Sequence, residues 1–404
     1  MQSDELKKWS IMSRKTFMWT IRLVALIILI VVLGPRMIDF FSRPVREQAI
    51  IGYSTDTVRA TVENIVEEGM ITLGDVTQPY QIVEVSVSQG KYSGQTFRID
   101  YGTRQIRTDA YPLNVGEQIL ITVSSLPDGS LSAHFTDYYR GRSLLILFIT
   151  FIVFSILVSG WKGVRSIIGI GLSLAVIILI ILPGIQQGRD PLLTSIFGSF
   201  FFVSYSLYII YGWNVKTHAA VLGSLLSLTI TGLLAYFFVG QTNLTGYGDE
   251  NMFFITQISE TVLNVRHFLL AGIMIGTLGV LDDLVISQAS AVLELYRNNP
   301  KQDFQRLFRS AMNIGKDHIA ATVNTLVLAY TGAALPMLLL FSLRSVDYGL
   351  AINLEFIAEE IVRTLVGSLG LFASVPITTG MASLIAVKYR ELGNMRTYLG
   401  PLNE

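Results

Sequence analysis

The sequence predicts a mainly α-helical membrane protein: a bundle of about eight transmembrane helices carrying a small extracytoplasmic β-barrel of OB-like type. Three observations predict it. Apolar residues make up 51 % of the 404 and charged residues only 15 %, where a soluble chain carries roughly a quarter; mean hydropathy is +0.52. Apolar runs of roughly the 20 residues needed to cross a bilayer recur from Leu144 onward. Between residues 43 and 140 those runs give way to short alternating segments rich in Thr, Val, Gln, Asp and Gly, the period of half-buried strands.

Residues 1–42 form the first division. Lys7, Lys8, Arg14 and Lys15 precede an apolar run from Phe17 to Leu33, broken only by Arg22 and continued after Gly34-Pro35-Arg36 to Phe41. No small-residue cleavage pattern follows, so the run is expected to be an uncleaved anchor helix with its N-terminus inside. Residues 43–140 form the second. Strands are expected at Val58–Ile65, Gln81–Val87, Gln95–Asp100, Gln118–Ser124 and Ser130–Thr136, with a hairpin turn at Pro127-Asp128-Gly129. Five short strands suit a small barrel; a β-sandwich fragment is the alternative. The segment lacks the aromatic and basic pattern of a nucleic-acid OB-fold. Lys+Arg and Asp+Glu are equal at 30 each, so charge argues for no nucleic-acid partner.

Residues 141–404 are the third division. Spans are expected near 143–160, 164–184, 191–212, 218–240, 266–292, 314–341 and 362–387. With the first helix these make eight, and an even count puts both termini on one side. Loops holding Lys162 and Arg165, then Lys216, then Arg297 to Lys316, then Lys388 to Arg396 alternate with loops holding little beyond Arg189 and Arg344. The positive-inside rule therefore makes both termini cytoplasmic and the β-domain external. Residues 295–313 are amphipathic and are expected as a helix on the cytoplasmic surface; 345–361 look similar on the outer side. Gly246 to Glu250 is expected to be a turn.

Chemistry concentrates in Gly272–Glu294. Asp282 and Asp283 stand where apolar residues are expected, and one Asp near a membrane centre costs about 2.5–3.5 kcal/mol. At helical spacing Gly272, Gly276, Gly279 and Asp283 share a face that Ser287, Ser290 and Glu294 continue. The glycines are expected to admit a neighbouring helix. The pattern supports an ion or proton site between helices; a polar staple, or an Asp pair at the cytoplasmic boundary, is the structural alternative. Gln288 belongs to the same stretch. In the next span Asn324 and Thr325 lie deep enough to need partners, while Asp317 and His318 sit near its inner end. Asp283, rather than Asp282, is expected to face Asn324 and Thr325 and carry the proton. Pro376 to Gly380 is expected to kink or unwind the last span. There is no cysteine, the four histidines have no metal-ligand spacing, and no phosphate loop, G-x-S-x-G or H-E-x-x-H occurs. No catalytic residue, cofactor or metal is expected, and the chain does not read as an enzyme.

The blocks GTLGVLDDLVISQASAVLELYR, from Gly276, and AMNIGKDHIAATVNTLVLAYTGAALP, from Ala311, resemble the YibE/F family of bacterial multi-pass membrane proteins, and the resemblance covers most of the chain. It implies a bacterial plasma-membrane protein. In order of elements the chain is more remotely similar to the SecD/SecF branch of the resistance–nodulation–division permeases, where an intramembrane acid carries proton coupling; Asp282 or Asp283 would match it. The chain departs in having extra helices before the acidic one and one half of the twelve-helix repeat, so a second YibE/F-like chain or a homo-oligomer would be needed to complete a path. A proton-coupled transporter or permease in the lipid bilayer is one expected function. The other is a non-transporting scaffold that presents the β-domain to an outside partner.

Overall fold

A computed structural model describes residues 49–50, 53–103, 111–125, 129–259, 261–343, 347–389, 391 and 395–402. The expected first helix and the Pro127-Asp128 corner of the hairpin lie outside the described residues. The chain divides into two compact units; one spans Ser42–Val158, and the described part of the other begins at Ser159.

The first unit is an antiparallel sheet of β1 (Ala49–Ile50), β2 (Tyr53–Leu73), β3 (Val76–Val87), β4 (Thr96–Tyr101), β5 (Gln118–Ser125) and β6 (Leu131–Tyr138). Its order is β4-β3-β2-β5-β6, with β1 on β2. Strict alternation makes it: Gln81, Val83, Val85 and Val87 of β3, and Ile119, Ile121 and Val123 of β5, all point into one core. Two register shifts in β2, between Val62 and Asn64 and between Ile65 and Glu67, add twist. The sheet curls into a half-barrel, because Tyr101 on β4 meets Phe135 on β6 edge-on at 4.9 Å. The Tyr101 and Tyr138 hydroxyls both donate to the Tyr111 carbonyl, at 2.9 and 2.8 Å. Buried Gln81 seals the 111–117 loop by accepting from the Leu113 amide and donating to its carbonyl, at 2.7 and 3.2 Å.

All five expected strands are present. Two run longer than expected: β2 and β3 continue past the half-barrel as a hairpin arm closed at Gly74-Asp75, where Gly74 has φ +62°. The arm is mostly exposed, Val66 and Met70 included, and its apolar Ile71, Leu73 and Val76 are only partly buried. Cross-strand Thr72–Thr77 and Tyr80–Glu67 hydrogen bonds hold it, at 3.0 and 2.7 Å. The unit ends in α1 (Gly141–Ser159), none of whose residues is buried.

The second unit contains α2 (Trp161–Gln186), α3 (Pro191–Tyr211), α4 (Val215–Gln241), α5 (Glu250–Ile258), α6 (Val265–Asn298), α7 (Phe304–Ala333), α8 (Leu335–Leu343), α9 (Tyr348–Ala351), α10 (Glu355–Lys388) and α11 (Met395–Leu399). Side-chain caps start the long helices: Asp190 accepts from Leu193, Asn214 from Thr217, Asn264 from His267 and Asp303 from Arg306. Asp190 also pairs with His267 across the start of α6. Burial works against its ionisation, but the Leu193 amide and His267 outweigh burial and hold the carboxyl below its usual range. The stabilisation from this lowered pKa is present at neutral pH and is lost as pH falls through it. Among the described residues of both units, six helices, α1 included, are long and apolar enough to cross a membrane, and α7 with α8, bent by 61° at their junction, makes a seventh candidate. Each expected span after residue 140 coincides with one of these.

Two expectations are corrected here. Residues 295–313 are not one surface helix: 295–298 finish α6, 299–303 turn, and 304–313 begin α7. The Asp303 cap restarts the helix, and Leu307 and Ala311 pack into the bundle. Nor does Pro376 unwind α10, which runs unbroken from Glu355 to Lys388; Ser374 and Thr378 on either side are fully buried against neighbours that hold the helix in place.

The β unit carries its own core, so a polypeptide of residues 48–138 should be soluble with a β-type circular dichroism spectrum. Ile121→Ala within it should lower unfolding free energy by about 2–5 kcal/mol, measured by urea denaturation; a disordered spectrum for the parent would reject independent folding.

Candidate functional site: a polar seam in the helix bundle

Three helices, α4, α6 and α10, form the centre of the second unit around Leu228, Met274, Leu281, Leu284, Leu371 and Val375. Within this apolar centre α4 and α10 meet along a polar line. On α4 it reads Gly223, Ser227, Thr231; on α10 it reads Gly370, Ser374, Thr378. A Cβ on Gly223 would overlap the Thr378 hydroxyl, and a Cβ on Gly370 would overlap the Thr231 hydroxyl. Each glycine is thus the hole for the other helix's threonine. Because the lower-numbered residue of one helix faces the higher-numbered residue of the other, the two helices run antiparallel. Both carry the pattern G-x-x-x-S-x-x-I-T, with Ile230 and Ile377 in its eighth place. The seam is therefore a short inverted repeat, packed on itself by close small-residue contact.

The hydroxyls are accounted for with one exception. Ser227 donates to the Gly223 carbonyl at 2.7 Å, Thr231 to the Ser227 carbonyl at 2.8 Å, and Ser374 to the Leu371 carbonyl at 2.8 Å. Thr378 Oγ1 is fully buried and has no partner. Pro376, two residues earlier, has no N–H to offer the Phe372 carbonyl. Ser224, beside Gly223, donates to Asp282 Oδ1 of α6 at 3.3 Å. Asp282 and Ser224 thus form one bonded pair between α6 and α4, while the Thr378 hydroxyl of α10 lies against Gly223. The Asp282 carboxyl with its Ser224 partner can hold a proton.

Next along α6, Gln288 is buried and ties three helices together. Its amide donates to the Ala311 carbonyl of α7 at 3.0 Å and to Thr379 Oγ1 of α10 at 2.7 Å. Gly315 makes room for it, since a Cβ there would press on Val375 and Gln288. At the far end of α10, Glu355 accepts from the Thr245 amide and hydroxyl, both at 2.6 Å, and from the Gly246 amide at 3.0 Å. Buried Glu359 accepts from the Gly248 amide at 3.0 Å. The expected Gly246–Glu250 turn is therefore a clamp that fixes the start of α10.

The structure reassigns much of the expected face of α6. Asp282 is partly buried and bonded to Ser224, whereas Asp283 is exposed; the expectation that Asp283 faces α7 is corrected. The glycine face fails with it. Gly272 and Gly279 have nothing within 4 Å of a built Cβ, and only Gly276 meets a neighbour, Tyr330 Oη, at 2.7 Å. The reason lies in the other side of the helix: Ile273, Thr277, Leu281, Leu284 and Gln288 carry the burial, so the Gly–Asp283–Glu294 stripe is turned outward. Ser287 and His318 are partly buried, and Asp317, Asn324 and Thr325 are exposed. Thr325 donates to its own helix at Ala321, 3.0 Å away. No hydrogen bond joins Asn324 or Thr325 to the Asp pair among the described residues. The α4–α10 seam was missed, although the nine-residue pattern repeated in Gly223–Thr231 and Gly370–Thr378 could have revealed it.

Long helices apolar enough to cross a membrane, set around a partly buried carboxylate and buried hydroxyls, define a span-capable helix bundle with polar groups inside it. Residues 147–388, more than half of the chain, match the family described as YibE/F-like protein. The chain belongs to that family. No curated protein and no solved structure matches it.

Filling the seam should be costly where filling the glycine face is not. Gly223→Ala or Gly370→Ala should cost about 1–3 kcal/mol through overpacking, whereas Gly272→Ala should be neutral or stabilising by up to about 1 kcal/mol. Thermal unfolding in detergent micelles measures the difference, and equal melting temperatures for all three variants would refute the close fit.

Proposed function

We propose that the chain is a transporter or permease driven by a cation, in the first instance a proton, bound at Asp282. The observation that carries this reading is the hydrogen bond from Ser224 to Asp282 at the edge of the inverted α4–α10 seam. An intramembrane acid is expensive to keep and marks ion or proton paths by default. Inverted repeats with a polar site at their interface are the architecture of many secondary transporters. Losing or gaining a proton at Asp282 would make or break its bond to α4 and so bias the packing of α6 on the seam.

The Lys and Arg asymmetry of the loops supports cytoplasmic termini and an external β unit, and the family resemblance supports a bacterial plasma membrane. The β4-β3-β2-β5-β6 order with the Tyr101–Phe135 closure supports an OB-like barrel. The scaffold reading draws on one observation of its own, the hairpin arm with exposed Val66 and Met70, which offers an outside partner a surface.

Two measurements test these readings. Infrared difference spectra of the purified protein between low and high pH should show a protonated carboxyl band that Asp282→Asn removes and Asp283→Asn retains. Proton flux in proteoliposomes should fall with the same variant; loss of the band with Asp283→Asn alone would sink the assignment. For topology, a cysteine introduced at Asp128 should react with an impermeant maleimide in intact cells, and one at Lys301 should not. Labelling at 301 from outside would overturn the orientation.

A further inference from the structure

We propose that the pocket at the start of α6 binds a phosphate group through Arg266. The proposal does not rest on Asp282, which lies sixteen residues further along the same helix, about 24 Å away. It starts from a charge without a counter-charge. Arg266 is partly buried in the first turn of α6, and its Nε is enclosed without a hydrogen-bond partner. The carboxylates of neighbouring elements are engaged elsewhere. Asp190 pairs with His267, Glu355 accepts from Thr245 and Gly246, Glu359 accepts from Gly248, and Glu360 pairs with Arg363 at 3.3 Å. A Cβ built on Gly240 would stand 3.1 Å from Arg266 Nη2, so the guanidinium rests over the last turn of α4. That turn offers it only the partial negative charge of a helix end.

The guanidinium borders a cavity of about 410 Å³ whose wall it shares with Asn243, Thr245, Tyr247 and Asn264. Among the described residues Arg266 is the one charged group in that wall. The polar groups around it have donors to give. Asn264 spends its side-chain oxygen on the His267 amide at 3.2 Å and keeps its NH2. Asn243 and Tyr247 bring a carboxamide and a phenolic hydroxyl to the exposed rim. Thr245 has already given its hydroxyl proton to Glu355 at 2.6 Å, so it anchors the wall rather than the ligand.

A phosphate group fits this inventory. Its charge answers the one that Arg266 carries unpaired, and a guanidinium meets two of its oxygens with a fork of parallel N–H bonds. Its tetrahedral oxygens leave further acceptors for Asn243, Asn264 and Tyr247, which the two oxygens of a carboxylate would not serve together. A cation would be repelled by Arg266, and an apolar solute would leave the donors without partners. Arg266 opens a helix long and apolar enough to cross a membrane, a position level with the phosphates of lipid headgroups. A soluble phosphate ester presents the same group.

Two probes test the site, both on the purified full-length protein in neutral detergent micelles at constant ionic strength. The first is inorganic phosphate, read by titration calorimetry. The second is phosphatidylglycerol in mixed micelles, counted on the protein by native mass spectrometry. At least one probe should bind the parent, and Arg266→Gln should weaken that binding by about tenfold or more. Arg266→Lys keeps the charge without the fork and should weaken it by about fivefold. Asn243→Ala and Tyr247→Phe should each weaken it by about threefold. Arg189→Gln, at an exposed arginine outside the pocket, should bind as the parent does. Arg266-dependent binding of the lipid alone assigns the pocket to a headgroup; Arg266-dependent binding of inorganic phosphate assigns it to a soluble solute. Binding of neither probe, or equal binding by the parent and Arg266→Gln, would overturn the proposal. If Arg266→Gln fails to accumulate, Arg266→Lys combined with Asn243→Ala decides in its place, and binding equal to the parent's would overturn it as well.

Discussion

The reciprocal fit of Gly223 against Thr378 and Gly370 against Thr231 is the constraint on which the second unit depends. It fixes the distance between α4 and α10, and α6 then packs across both. In a membrane no hydrophobic gain separates helix–helix from helix–lipid contact, so close approach and satisfied polar groups decide which helices meet. Glycine opposite threonine supplies the first, and hydroxyls turned back onto their own carbonyls supply the second. Asp282 inherits its environment from that arrangement, because Ser224 is held in place as the neighbour of Gly223. The clamp of Glu355 and Glu359 on the 245–248 loop holds the other end of α10, so the helix is located at two points.

The two units rest on different physics. In the β unit, alternation puts Val, Ile and Tyr on one face, and water drives that face together. Its polar exceptions are few and paired, Gln81 with Leu113 above all. In the bundle, apolar residues lie all around each helix and say little about which side is inside. Small residues and hydroxyls carry that information instead.

This contrast explains what could be read in advance. Strands, spans and their limits follow from period and length, so each expected strand and each expected span after residue 140 has its counterpart, with the bent α7–α8 pair in place of one straight span. The inward side of α6 did not follow. Gly272, Gly276, Gly279 and Asp283 form a regular stripe, and a stripe of small and polar residues is a sound guess for a contact; here Ile273, Thr277, Leu281 and Gln288 form the contact, and only the neighbours of the helix determine that. Asp282 was legible as a costly residue, though not as the enclosed member of the pair. Of the kink or unwinding expected over Pro376 to Gly380, the unwinding is absent, and Ser374 and Thr378 are fully buried on either side of the proline.

Pro376 still has a mechanical consequence. Every other turn of a helix is braced by a bond from each amide to the carbonyl four residues back, and here one brace is absent. The absent brace spans Phe372 to Pro376, the turn that carries Ser374 in the middle of the gripped line from Gly370 to Thr378. A grip placed at the most compliant point of a rod acts as a fulcrum.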